Sequence, residues 1–415
     1  MQGFLDLLPE EAEAMRATQE ALLSEMRSWG YRYVVTPTLE SLDVLERGLG
    51  SAQRPRLFKL SDGDGSLLAL VAERTVPVAR LVAGKLRSAP LPLRLCYAGP
   101  VLVNQAGGFQ RRRESHQLGA ELVGAPGPVA DAEVIALAMR CLDAAGLRSY
   151  QIDVGHAEFF AGLLEGLAVA PEVRLGIRQA LAGRDLVALE GILDATPLSS
   201  AEHELLRRFP ALRGGREILD AASKLVTNGR AARSLEELAR VLDLLAAHGV
   251  GGTVQVDLGA IRDFDYYTGV IFEGYGPDLG HPLTQGGRYD HLLGRFGRPA
   301  PATGFVIHLD LVGEMLEGER GRQHLPALAA AVAWSESGLA PALRLGASLR
   351  LFGMRAVVDT QPRSLAAARR WAAGVGSRHL VLVESAERAL WVPGGGRSRR
   401  LSPQQVVGRL AGGGG

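Results

Sequence analysis

Residues 116–122 read HQLGAEL. In an extended chain successive side chains point to opposite faces. Gln117, Gly119 and Glu121 therefore share one face, and Leu118, Ala120 and Leu122 the other. No other feature constrains the fold as much. The apolar face has to be covered by helices. The polar face cannot simply be sealed, because an unpaired buried carboxylate is costly. Glu121 needs a partner, and a cationic ligand would supply one. The charged run just before the strand, QRRRES at 110–115, admits two readings. Alone it is a solvated hairpin turn; followed by this strand it flanks a ligand pocket.

Periodicity around that strand predicts an α+β organisation. Residues 10–29 form an amphipathic helix with Leu22, Leu23 and Met26 on one face. GYRYVVTPTLES reads as a strand with an abrupt proline stop, and LLALV (67–71) as a buried strand. A helix over about Val76 to Leu86 follows, then a strand over LPLRLCYAGPVLV and one over SHQLGAELVG. DAEVIALAMRCLDAAG is a helix closed by Gly146, and YQIDVGHAEFFAGLL a strand, turn and helix. Residues 170–249 carry mostly helical patterns and read as an inserted helical segment. VQVDLG and DYYTGVIFEGY then read as paired strands, and ATGFVIHLDLV as a strand entering a helix.

Composition shifts at LEGERGRQHLP (316–326), a linker. Beyond it LAAAVAW, MRAVVDT and HLVLVES are short apolar strands alternating with two helices. That pattern predicts a small α/β domain with a parallel sheet. The ending AGGGG reads as disordered.

Charge and cysteine usage exclude several classes. Lys+Arg and Asp+Glu number 46 and 45, so there is no global electrostatic case for nucleic acid or membrane binding. The two cysteines, Cys96 and Cys141, sit far apart in apolar contexts without metal-ligand spacing, which fits a reducing cytoplasm. The N-terminus lacks a charged segment followed by an apolar one, and the apolar runs are too short or interrupted to span a bilayer.

Three further stretches could carry chemistry, each with a bland alternative. In IRDFDYYTG, alternation sets Arg262, Phe264 and Tyr266 against Asp263, Asp265 and Tyr267, which also suits a hairpin packing aromatics across strands. In TQGGRYDHLLGRFG, two glycines allow close backbone approach, while Arg288 and Asp290 are placed to pair with each other. In VAERTVPVAR, Glu73 and Thr75 lead into a helix and need no ligand if they cap it.

Their order and spacing are more specific than any one of them. GFLDLLP at the N-terminus, E-x-T before P-x-A-R, GP with HQLGAE, DYYTGVIFE, GGRYD and GRPAPATGF together resemble the class II histidyl-tRNA synthetase core. The resemblance covers residues 3–315, and residues 326–415 resemble a shortened anticodon-binding domain. It implies a class II aminoacyl-tRNA synthetase-like antiparallel sheet of six or seven strands with helices, spanning 1–315 with the helical insertion. It also implies dimerisation through a first motif matching GYRYVVTPTLE. A histidine pocket is implied as well. By position Glu73, Thr75 and Gln117 would meet the α-amino group, Glu121 and Tyr267 the imidazole, and Arg262 the carboxylate. The chemistry agrees, since a zwitterion needs an acid at one end and a guanidinium at the other.

The chain departs from the synthetase where ATP would bind. The second motif, F-R-x-E, is Leu102, Val103, Asn104 and Gln105 here. The third, G-F-x-x-G-x-E-R, has His308 for its second glycine and Leu311 for its arginine; Asp263 likewise replaces a glycine. Losing one charged transition-state contact costs about 2–4 kcal/mol, so losing two should abolish adenylation. The split between a kept histidine half and a lost ATP half resembles the regulatory subunits of ATP phosphoribosyltransferase. That resemblance implies a non-catalytic chain without cofactor or metal. It would act at the first step of histidine biosynthesis and confer histidine feedback. It would form a homodimer within a hetero-oligomer, a hetero-octamer, with the short-form catalytic subunit, and bind no tRNA. A divergent histidyl-tRNA synthetase, favoured by arginines in RRW and GGRSRR, and an amino-acid sensor with an unrelated partner are the alternatives.

Overall fold

The computed structural model describes residues 3–104, 112–182, 185–224, 226, 229–259, 266–277, 279–320, 328–335, 337–394 and 396–412. They fall into two units, Met1–Gln323 and His324–Gly415.

In the first unit the strands are β1 (Arg32–Tyr33), β2 (Leu39–Ser41), β3 (Lys59–Ser61), β4 (Leu67–Leu70), β5 (Leu93–Leu102) and β6 (Glu114–Val123). They continue as β7 (Gln151–His156), β8 (Arg213–Gly214), β9 (Val254–Asp257), β10 (Val270–Tyr275), β11 (Thr284–Arg288) and β12 (Ala302–His308). The helices are α1 (Pro9–Ser28), α2 (Leu42–Leu49), α3 (Thr75–Gly84), α4 (Pro128–Ala145), α5 (Ala157–Glu165) and α6 (Pro171–Ala182). They continue as α7 (Leu186–Asp194), α8 (Ser200–Arg208), α9 (Glu217–Ser223), α10 (Gly229–Ala247) and α11 (Leu309–Arg320).

The main sheet runs β1-β5-β6-β12-β11-β10-β7-β9-β8. Its six central strands, β5 to β7 in that order, each run antiparallel to their neighbours within the set. β1 joins β5 and β9 joins β7 in parallel, so the whole sheet is mixed. β2, β4 and β3 form a separate small sheet.

Residue type explains how the helices cover it. α1 has a proline in its first turn, Glu10 and Glu11 at its positive end and Arg27 at its negative end, and buries Leu22, Leu23 and Met26. α4 starts at a proline and ends at Gly146, whose φ of 92° is the left-handed region that favours glycine. Their apolar faces join Leu118, Ala120 and Leu122 of β6 in the largest core cluster, as the alternation requires. A second cluster lies with α2, α3 and the small sheet, and includes Leu95, Tyr97, Tyr266 and Tyr289. The polar face of β6 opens between this cluster and the sheet.

Several sequence expectations change. GYRYVVTPTLES is two very short strands, β1 and β2, in different sheets. Pro37 separates them, and Pro lacks the N–H that a continuous ladder needs. LLALV is buried only in part, since Ala69 and Val71 are sealed while Leu67 is 51% exposed. VQVDLG and the strand after DYYTG are not partners, because β7 lies between β9 and β10. The second strand also begins only at Val270, so Tyr266 and Tyr267 precede it.

The second unit contains β13 (Leu328–Trp334), α12 (Leu339–Leu351), β14 (Ala356–Val358), α13 (Leu365–Gly374), β15 (Ser377–Val383), β16 (Ala389–Pro393), β17 (Arg399–Leu401) and α14 (Pro403–Gly412). β14, β13 and β15 are parallel as expected, but β16 and β17 extend the sheet antiparallel. Ala411 and Gly412 of the AGGGG ending close α14, and the last three glycines lie outside the described residues.

Candidate functional site

β5, β6, β12 and β11 run side by side, and their inward faces form the floor of a cleft. It encloses about 710 Å³ of empty space, its open mouth included. The floor is bare where Gly286 and Gly304 stand. An added Cβ at Gly304 would collide with the Glu121 carboxylate and lie 2.7 Å from the Ala120 carbonyl oxygen. Only glycine lets that carboxylate lie flat on the neighbouring strand, its register partner.

Glu121 is 1% exposed. Its carboxylate accepts from the Tyr97 hydroxyl at 3.2 Å, from the Tyr289 hydroxyl, and from Thr75. Burial pushes its pKa up to about 8, against the pull of those hydroxyls. Glu73 is also buried, and burial raises it to about 7. Its carboxylate accepts the backbone N–H groups of Thr75 and Val76, both at 2.9 Å. Glu73 thus caps the first turn of α3 and lines the cleft at once.

Tyrosines wall the acidic end. The rings of Tyr266 and Tyr267 lie 4.8 Å apart, and Tyr266 meets Tyr289 edge-on at 5.8 Å. Burial raises Tyr97, Tyr266 and Tyr289 well above the usual phenol range, so all three stay protonated donors. Two carboxyls among hydroxyls make a pocket suited to an ammonium or imidazolium group.

The other end is different in kind. Val101, Val103, Ser115, Gln285, His308 and Arg56 line it. His308 sits 3.5 Å from the Gln285 amide nitrogen, and burial lowers its pKa to about 4, so its ring is neutral.

Of the residues expected to meet histidine, Glu73, Thr75, Gln117 and Tyr267 line this cleft, while Glu121 is buried behind it, bonded to the lining residues Tyr97 and Tyr289. Arg262 lies outside the described residues, as do Gln105 and Asp263. Of the departures at the ATP side, Val103 and His308 line the cleft, whereas Leu311 packs toward the helical core. The described part of the arginine run is engaged elsewhere. Arg112 donates to Asp310 at 2.9 Å and Glu314 at 2.8 Å, and Arg113 donates to Asn104 at 3.2 Å. Arg288 is paired with Asp290 at 3.0 Å, but also with buried Asp131 at 2.8 Å. Tyr97, Tyr266, Tyr289 and Arg56 were not anticipated as wall residues. Tyr97 was within reach of the sequence, because it stands opposite Gly119 in the ladder. Arg56 carried no local signal. Among the described residues one group has metal-ligand proximity, Glu190, Asp194 and His203, and it lies outside the cleft. Glu190 there already accepts from Arg207 at 2.7 Å.

A family model described as histidyl-tRNA synthetase matches residues 3–312. The ATP phosphoribosyltransferase regulatory subunit of Moorella thermoacetica is 44% identical over 375 residues, covering 90% of this chain and 95% of that one. This chain belongs to that regulatory-subunit family, within the histidyl-tRNA synthetase group. The regulatory subunit of Syntrophotalea carbinolica is 41% identical over 74% of this chain and 72% of its own. A crystal structure from Bacillus halodurans C, titled ATP phosphoribosyltransferase regulatory subunit/histidyl-tRNA synthetase, is 31% identical. It superposes with a TM-score of 0.83 over 92% of this chain and 97% of that one. The fold is accordingly the α+β class II synthetase fold, with a smaller second sheet.

Proposed function

We propose that this chain is the non-catalytic regulatory subunit of an ATP phosphoribosyltransferase, acting at the first step of histidine biosynthesis. It binds a short-form catalytic subunit, raises its activity, and takes histidine in the cleft as the feedback signal. One observation carries this reading. The cleft keeps an acid-and-hydroxyl end, Glu73, Thr75 and Tyr267 with Glu121 buried behind the tyrosines, while its opposite end presents Val103 and a neutral His308. An aliphatic side chain and an uncharged imidazole cannot offset the charge that builds on phosphate during adenylation.

Self-association within a hetero-octamer fits exposed apolar side chains around the first motif. Tyr33, Val35 and Leu39 are 43%, 74% and 40% exposed, more than a solvated strand needs. No helix among the described residues is long and apolar enough to cross a membrane, and the proposed site of action is the cytoplasm.

Reconstitution tests the proposal. Adding this chain to a short-form phosphoribosyltransferase should raise its turnover, and histidine should then inhibit the complex. Unchanged turnover would sink the regulatory reading. A second reading, tRNA charging, draws on the twelve arginines against four acidic residues over 326–415. ATP-dependent formation of histidyl-tRNA by the purified chain would establish it instead.

A further inference from the structure

Arg74 stands between two residues of the cleft lining, Glu73 and Thr75, at the turn that opens α3. Its own side chain reaches the segment between β1 and β2. Nη1 donates to the Thr36 carbonyl at 3.3 Å and to the Thr36 hydroxyl at 3.2 Å. Nη2 donates to the Pro100 carbonyl of β5 at 2.7 Å. Arg74 is 3% exposed and Thr36 4%. Breaking any of these bonds strands a buried polar group, which is costly, so the three backbone segments are held to move together.

The strand makes room for this strut. An added Cβ at Gly99 would collide with the Arg74 guanidinium. Opposite Gly99 on β6 stands Gln117, another lining residue. Thr36, at the other end, lies in a segment with a fixed back and a free front. Behind, the Val34 N–H donates to the Cys96 carbonyl at 2.8 Å and the Val71 N–H to the Thr38 carbonyl at 3.0 Å. In front, Tyr33, Val35 and Leu39 are exposed, the apolar side chains argued above to meet a second copy. A copy seated there would bear on Thr36, and through one side chain on the turn that carries Glu73 and Thr75.

We propose that Arg74 is a positioning residue that couples self-association to ligand binding, so that the associated form holds histidine more tightly. This rests on the histidine reading and the self-association reading above. Linkage makes the effect reciprocal, so bound histidine tightens the dimer by the same factor for each site filled. A second tie joins the same region to α3, Arg80 to Glu40 at 2.6 Å. It lies six residues beyond Arg74, and neither partner lines the cleft, so it serves as the control.

Sedimentation equilibrium on the full-length chain gives the dimer dissociation constant with and without saturating L-histidine, and calorimetry gives histidine binding. Histidine should lower that constant about fivefold to a hundredfold in the wild type. Arg74→Met and Gly99→Ala should each abolish the shift, and Arg80→Met should keep it. Gly99→Ala only pushes the flexible end of Arg74 aside, so it decides the matter if Arg74→Met does not fold. A merely structural Arg74 would weaken association or histidine binding and leave the shift intact, which overturns the proposal. A wild-type chain that dimerises and binds histidine without any shift overturns it too, with both earlier readings standing. Equal loss of the shift in Arg80→Met takes the role away from Arg74. If the chain ignores histidine, or stays monomeric at every concentration, that reading fails and the proposal falls with it.

Discussion

Raising the pH should destabilise this protein through Glu121, and replacing that residue by glutamine should remove most of the effect. Burial lifts the Glu121 pKa from 4.5 to about 8. The folded state therefore holds a proton that the unfolded chain releases at a much lower pH. Between those two values the native state binds more protons than the unfolded state, so unfolding becomes easier as pH rises. The stabilisation is complete below the unfolded value of 4.5 and is lost as pH passes through about 8. At about 1.36 kcal/mol per pH unit, that gap is worth roughly 5 kcal/mol. Native stabilities are typically about 5–15 kcal/mol, so the effect is large enough to see. Glu73, raised to about 7, adds a smaller loss of the same sign over a lower range. Urea unfolding followed from about pH 6 to about pH 9 gives the slope directly. The parent should lose stability steadily and then level off. Glu121→Gln, an isosteric neutral side chain that can still accept from Tyr289, should show only the shallower Glu73 slope. A flat parent profile over that range, or a variant with the parent's full slope, would refute the reasoning.

Two substitutions test the packing around the site. Gly304→Ala should cost about 1–3 kcal/mol by overpacking, because the Ala120 carbonyl, 2.7 Å from the new Cβ, belongs to the ladder and cannot retreat. Its urea midpoint reports the cost, and its calorimetric histidine titration should show weakened binding. Arg288→Met strips the partner from Asp131, which is 2% exposed, and frees the Gly127 carbonyl that Arg288 holds at 3.1 Å. A loss of about 3–5 kcal/mol is expected in the same unfolding assay, and Asp131→Asn on that background should restore part of it.

The sequence made β6 legible because its period is strict and its two faces face different worlds. The long helices α1 and α4 were equally legible, through their apolar stripes and their end signals. What it concealed depends on distant partners. β1 and β2 look like one run of β-branched and aromatic residues, and only the surroundings assign them to different sheets. DYYTG looked like the start of a strand, so alternation set Tyr266 and Tyr267 on opposite faces. In the fold both precede β10 and line the same cleft. Glu73 could be placed in the site only by resemblance, because capping alone explains it locally. Arg56 shows the limit most clearly. It shares the cleft lining with Val103, 47 positions later in the sequence, and no local pattern joins the two.

The bare floor formed by Gly286 and Gly304 has a consequence for how such a cleft changes its ligand. The backbone itself makes that surface, and any side chain there would strike a neighbouring strand or its carboxylate. The middle of the cleft therefore offers little for substitution to edit. Novelty has to enter beyond those two glycines, at positions such as Arg56, Val103 and His308. Val103 and His308 are also places where this chain parts from the synthetase pattern. A scaffold arranged in this way can abandon one reaction and keep its grip on a small molecule, because the surfaces serving the two tasks are edited separately.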